Sequence, residues 1–301
     1  MFVQANGMSI KVEDSGDTND TNRPVVLLIM GLGMQLTSWP PALVDGLIHA
    51  GYRVVRFDNR DIGLSSHLDH LGKPRVAVAA VKRRMGLPVH APYSLSDMAR
   101  DAVGVLDALN IRKAHVVGVS MGGMIAQRVA LQAPQRLLSL TSIMSSSGAR
   151  GLPGPHPRVG LMMVNRPTES GREAMIEHGL KLFQLIGSPD HIDPEPVLRA
   201  RIAFGLDRSF HPAGTLRQMV AIIADSDRAN HLHKIAAPTL VIHGKKDPLV
   251  PFACGADTAK RIPHAKLLPI TGMGHDLPAS LLPTLLDAMH HHFELAALKK
   301  R

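Results

Sequence analysis

The sequence predicts an α/β fold: a mostly parallel sheet with helices packed on both faces. Three observations carry this expectation. Short, unbroken apolar runs end at glycine or polar residues, as strands buried on both faces do. Helix-length amphipathic segments alternate with them, which implies βα units. At 301 residues and 45% hydrophobic content, the chain is also long enough to bury a substantial core.

Taken in order, "FVQA" and "MSIKVE" flank Asn6-Gly7, which predicts an antiparallel hairpin closed by a type I′ turn. "PVVLLIM" and "YRVVRFD" read as buried strands, with a helix over 39–50 between them. "SLSDMARDAVGVLDALN" starts as a capping box on Ser94 and Asp97 and continues at helical spacing. "AHVVGVS" predicts a strand, "MGGMIAQRVALQAP" a helix, and "LLSLTSIM", "TLVIHG" and "AKLLPIT" three further strands. Alternation fails over 147–237. There the Gly/Pro-rich "SGARGLPGPHP" leads into helical segments at 169–186, 194–206 and 215–224. The expected organisation is therefore a core of 1–146 and 238–301, with 147–237 as a helical cap, or lid, over one edge of the sheet.

The totals exclude several classes. Cys254 is the single cysteine, so no intramolecular disulfide forms, which fits a reducing cytoplasm; no neighbour would lower its pKa, and it reads as inert packing. The N-terminus lacks a signal-peptide pattern and no apolar run reaches the roughly 18 residues of a membrane span; a soluble, cytoplasmic protein without stable membrane insertion is expected. The net charge of +9 raises the question of nucleic acid, but aromatic residues are only 3% of the chain and the basic residues are scattered, leaving little for base stacking. "KRR" at Lys82 to Arg84 and the terminal "KKR" read as solvated surface. No metal-ligand spacing and no phosphate-binding loop appears, so neither metal nor cofactor is expected. "MHHHFE" reads as a helix surface.

The chemistry is expected around "GVSMGG". A serine between glycines at a strand-to-helix turn is a nucleophile elbow, with Ser120 exposed at the C-terminal edge of the sheet. A serine hydroxyl needs a base, and the base needs an orienting carboxylate, both at that same edge. His275 alone, in "TGMGHDLP", directly follows a strand; His264 precedes one, and His290, His291 and His292 lie in a helix. Asp247, in "TLVIHGKKDPLVP", stands just beyond its strand, whereas Asp225 and Asp227 precede it, Asp257 lies in the next helix and Asp276 is taken as a loop residue. Two backbone donors must meet the oxyanion: the Met121 N–H, and the Leu32 N–H in "MGLG".

These stretches, with "FDNRDIGLS", resemble the α/β-hydrolase superfamily, and "NRDIGLS" and "SWPPALVDGL" are similar to bacterial esterases of the aclacinomycin methylesterase type. The resemblance implies that Asp58, Arg60 and Asp61 order a turn beside the active site, with contact to substrate as the alternative. It also marks a departure: the family often has His-Gly where this chain has Met30-Gly31, so a polar contact to the oxyanion loop is missing or replaced. Serine at 120 excludes dehalogenases and epoxide hydrolases, which need a carboxylate there.

The expected function is a serine carboxylesterase acting through an acyl-enzyme on a small-molecule ester. Met30, Met34, Met121 and Met273 beside the active-site loops, and Met162, Met163, Met175 and Met219 in the insertion, are expected to line an apolar pocket for short to medium acyl chains. Hydrolysis of a diketone carbon–carbon bond, cofactor-free perhydrolysis or halogenation, and a ligand receptor on a hydrolase fold are the alternatives. A homodimer is compatible with the sequence.

Overall fold

The computed structural model describes residues 1–16, 23–164 and 171–298. The chain opens with Phe2–Ala5 (β1) and Met8–Asp14 (β2), antiparallel with Ala5 opposite Met8. Asn6 and Gly7 both have positive φ, 50° and 75°, as a type I′ turn requires. Then come Val25–Ile29 (β3), Pro41–His49 (α1) and Arg53–Phe57 (β4). Val76–Arg84 (α2) and Leu95–Ala108 (α3) lead to Ala114–Val119 (β5), Met121–Gln132 (α4) and Leu137–Ile143 (β6). Between β6 and the next strand lie Pro157–Val164 (α5), Arg172–Ile186 (α6), Glu195–Arg208 (α7), Pro212–Ala224 (α8) and the short Arg228–His231 (α9). Thr239–Gly244 (β7), Phe252–Arg261 (α10), Lys266–Ile270 (β8) and Leu282–Leu298 (α11) complete the described chain.

The strands form one sheet in the order β1-β2-β4-β3-β5-β6-β7-β8. β2 meets β4 antiparallel, and every pair from β4 to β8 is parallel. Side chains of a strand alternate between faces, so a parallel strand with helices on both sides must be apolar throughout. β3 shows this: Val25, Leu27 and Ile29 enter one buried cluster with residues of α3 and α4, while Val26 and Leu28 enter another with residues of α1 and α11. At the start of α3, Ser94 Oγ accepts from the Asp97 N–H at 3.1 Å and the Asp97 carboxylate accepts from the Ser94 N–H at 2.8 Å. That reciprocal capping closes two otherwise orphaned donors.

The helical expectations in the insertion fall close to α6, α7 and α8, with Glu169 and Ser170 outside the described residues. α2 and α5 were not anticipated; α2 buries Ala79 alone among its residues, so no core-facing apolar stripe marks it. The reading of "MHHHFE" as surface needs correcting: His291 is exposed and His290 half-buried, but His292 is buried and its Nε2 bonds the Leu140 carbonyl at 3.2 Å. Burial, opposed by that bond, depresses the His292 pKa to about 4, so the ring packs as a neutral group.

α8 is tied to the loop after β4 by buried charge. Arg217 of α8 grips Asp61 with two N–H donors, each at 2.8 Å, and neither side chain reaches solvent. Burial alone would raise the Asp61 pKa; Arg217 and the Leu68 N–H outweigh it and hold the carboxyl below the usual range. Among the described residues, no helix is long and apolar enough to cross a membrane.

Candidate active site

Ser120 sits at the corner between β5 and α4 with φ 54° and ψ −119°, a conformation that costs a non-glycine residue energy and persists only where its surroundings enforce it. They do so by crowding. A Cβ added at Gly118 would fall 2.1 Å from the Gly122 carbonyl oxygen, and one at Gly122 would fall 2.0 Å from that of Ile29. The Ser120 N–H donates to the Ile143 carbonyl at 2.9 Å, and its own carbonyl accepts from Ser145 Oγ at 2.7 Å. The hydroxyl is thereby held at the C-terminal edge of the sheet.

His275 and Asp247 meet it there. His275 Nε2 lies 3.0 Å from Ser120 Oγ, and His275 Nδ1 lies 2.7 Å from Asp247 Oδ2. With the Nδ1 proton donated to Asp247, Nε2 is free to accept from the serine hydroxyl. The other carboxylate oxygen, Oδ1, accepts from the Leu249 and Val250 N–H groups at 2.9 and 2.8 Å. Burial would raise the Asp247 pKa, but the charge of His275 and bonds from His243, His275 and Val250 lower it to about 2. The acid is thus ionised throughout the working range of a histidine base.

Two supports were not anticipated. His243, inside β7, donates Nε2–H to the Val250 carbonyl at 2.7 Å and lies 3.5 Å from Asp247 Oδ2. It approaches the same carboxylate oxygen as His275, and "VIHGKKD" carries no periodic signal to single it out. The histidine loop is held by the insertion: His275 N–H donates to the Ile186 carbonyl at 2.7 Å, and Gly274 N–H to Ser188 Oγ at 2.9 Å. Ser188 also bonds Asp276 through both its N–H and its hydroxyl. Asp276 therefore anchors the insertion to the loop, and its burial, partly offset by Ser188, raises its pKa.

The "MGLG" loop passes against Ser120: a Cβ on Gly31 would lie 3.3 Å from the Ser120 Cβ. Leu32 lines the cavity and Met121 opens α4; among the described residues neither backbone N–H is bonded to another group. Where the resemblance leads one to expect a histidine, other residues hold the loop. Asn59 Nδ2 donates to the Met30 carbonyl at 2.9 Å, the Gly33 N–H donates to Gln218 Oε1 at 3.0 Å, and the Leu36 N–H to Asp58 Oδ1 at 2.7 Å. Arg60 binds Asp101 with both donors at 2.6 Å. Asp58, Arg60 and Asp61 do not line the cavity; they order the turn beneath it. Gln218, a long-range partner from α8, had no signal in the sequence.

Above Ser120 and His275 is a cavity of about 570 Å³, within the usual range for a small-molecule site. Met30, Met34, Met163 and Met219 line it, together with Met124 and Met144, which the sequence did not single out. Four methionines must be reassigned. Met121 is fully buried in the core with residues of α3 and α4. Met273 is fully buried in the core behind the histidine loop, because its side chain turns away from the cavity that His275 enters. Met162 and Met175 do not line it; Met162 is the helical neighbour of Met163, about 100° around the axis. Cys254 lines the cavity wall as a buried thiol whose pKa burial raises, which keeps it protonated and inert.

Among the described residues, one other cluster has metal-ligand residue types: His67, Asp69 and His211, each offering an atom within 4.8 Å of the others. Those atoms already have work. The two rings stack at 3.8 Å, His211 bonds the Asp61 carbonyl and Asp69, and Asp69 also faces Arg217. The cluster ties α8 to the loop after β4 and lies outside the cavity.

The family model of the alpha/beta hydrolase fold matches residues 24–278. The chain is an α/β hydrolase. This α/β hydrolase is 30% identical over 306 residues to rhodomycin D methylesterase of Streptomyces peucetius, a match covering 95% of each chain. It is also 30% identical over 278 residues to a 2-hydroxy-6-oxononadienedioate/2-hydroxy-6-oxononatrienedioate hydrolase of Cupriavidus pinatubonensis, covering 88% of each. Among solved structures, the enol-lactonase of Burkholderia xenovorans LB400 superposes with a TM-score of 0.74 at 21% identity, over 98% of this chain and 100% of the other, a likeness of fold.

Proposed function

We propose that this α/β hydrolase is a serine carboxylesterase of small, largely apolar esters, with 147–237 as its cap. The observation that carries the proposal is the Ser120–His275–Asp247 relay, at 3.0 and 2.7 Å, opening into an apolar cavity. Ser120 Oγ attacks the ester carbonyl as His275 Nε2 takes its proton, and Asp247 stabilises the imidazolium. The oxyanion is met by the Leu32 and Met121 N–H groups, the latter at the N-terminus of α4 where the helix dipole also favours negative charge. Collapse returns the proton to the departing alcohol and leaves an acyl-Ser120, which water, deprotonated by His275, hydrolyses in the same way.

The likeness to a carbon–carbon bond hydrolase supports a second reading with the same residues. The cavity wall favours the ester. A dioate substrate requires cations, and among the described lining residues the one arginine or lysine is Arg201, which already faces Asp193 at 3.7 Å. The test is labelling with a fluorophosphonate probe and mass spectrometry of the modified peptide, followed by parallel ester and diketone panels. An adduct on Ser120 with faster ester turnover is expected. No adduct on the folded protein would remove the nucleophile assignment, and preference for diketones would install the second reading.

A further inference from the structure

The mouth of the cavity carries a surface that hydrolysis does not require. Of the described residues lining the cavity, those exposed to solvent are Ala80, Pro153, Gly154 and Pro155, which puts an opening between α2 and the segment entering α5. Arg83 joins the two rims through the Gly148 carbonyl at 3.3 Å. Residues 70–96 and 144–164 contain no aspartate or glutamate; the first carries Lys73, Arg75, Lys82, Arg83 and Arg84, the second Arg150 and Arg158.

Elsewhere this protein pairs its arginines. Arg60 sits on Asp101, Arg128 on Asp225, Arg172 on Asp207 and Arg199 on Glu177. Among the described residues, the five arginines of the two rims have no carboxylate within ion-pair distance, and Arg112 is the one other arginine in that state. The acids behind Gly148, Asp225 and Asp227, are already engaged by Arg128, and Asp225 also by Arg228. Amid these free charges stand apolar side chains. Val78, Val81 and Met85 are 46%, 57% and 67% exposed, and their spacing by three and four residues puts them on one face of α2. Leu87 and Leu161 extend the patch, at 48% and 61%.

We propose that this rim docks reversibly on an anionic phospholipid bilayer, with the basic side chains at the headgroups and the α2 stripe dipping into the interface, so that the cavity opens toward the lipid. An apolar stripe flanked by cations is the pattern of interfacial helices, and charge complementarity selects the anionic surface. A second copy of the chain would bring the same positive charge against this one. A nucleic acid would find no exposed Phe, Tyr or Trp to stack upon in residues 70–96 or 144–164, because Tyr93, the one such residue in those stretches, is buried. The proposal goes beyond the esterase reading and does not depend on it.

Co-sedimentation of the full chain with phosphatidylcholine vesicles, with and without phosphatidylglycerol, tests it. Binding is expected to the anionic vesicles alone and to fall at high salt. Replacing both Lys82→Gln and Arg84→Gln lowers affinity about 25-fold, each cation contributing roughly a factor of five. Val81→Ser with Met85→Ser lowers it roughly tenfold. Both double variants retain the melting temperature of the parent, which separates a lost surface from a lost fold whatever the chemistry at Ser120. Failure to bind anionic vesicles at low salt would overturn the proposal, as would binding indifferent to both double variants. Displacement of the vesicles by duplex DNA at equal phosphate concentration would also overturn it, in favour of a general polyanion site.

Discussion

The two ends of the cavity handle charge in opposite ways. At its floor, Asp247 and His275 are buried together, and beneath the cavity Asp61 with Arg217 and Asp101 with Arg60 are buried pairs. At its mouth, Arg75, Arg84 and Arg158 stand in solvent without acids. The contrast follows from dielectric. A buried charge interacts strongly, so its geometry is fixed by partners and a missing partner is costly. An exposed charge is screened and held by nothing in particular, so it contributes a field and little else.

The largest break in this contrast is at the floor. Ser120→Ala should lower kcat by about four to six decades with an unchanged melting curve; retained turnover would reassign the nucleophile. Asp247→Asn keeps the shape but reverses the tautomer preference of His275, and should cost about four decades in rate. A loss under about tenfold in steady-state kinetics would point to another acid. The same principle predicts a stability effect farther out. Arg217→Ala strands Asp61 without solvent and should cost about 3–5 kcal/mol in urea unfolding, against less than about 0.5 kcal/mol for Lys82→Gln or Arg84→Gln at the mouth. Equal losses at both ends would erase the distinction.

His292 adds a pH arm. Its folded pKa, about 4, lies below the unfolded value near 6.5, so the unfolded chain binds more protons between those values. Stability from this group is therefore fully present above about pH 6.5 and lost as pH falls through 4, amounting to about 3 kcal/mol. His292→Gln should flatten that fall in unfolding curves taken between pH 7 and 4. An unchanged slope would show that the ring is hydrated.

How much of this was legible depended on the range of the interaction. The sheet was, because β3, β5 and β7 announce themselves as short apolar runs, and a parallel strand buried on both faces has no other sequence pattern. Ser120, Asp247 and His275 could be nominated because one edge of such a sheet gathers every strand's C-terminal end. α2 and α5 were not legible; α2 buries Ala79 alone, whereas α1, of the same length, buries Leu43, Val44 and Leu47 on one face and was read. Gln218 and His243 were not legible either. Gln218 bonds Gly33, 185 residues away, and His243 sits in a strand whose pattern gives no sign of what lies behind it.

Local sequence alone thus determined the alternation of strand and helix, the strained turn at Ser120 and the chain order of the three polar residues that meet there. Those properties arise from periodicity and backbone sterics within a few residues. The tertiary structure decided which methionines face the cavity, which residues replace the absent histidine in holding the Met30–Gly31 loop, and which arginines go unpaired. Each of these depends on what another segment, tens to hundreds of residues away, brings into contact, and no local pattern encodes that.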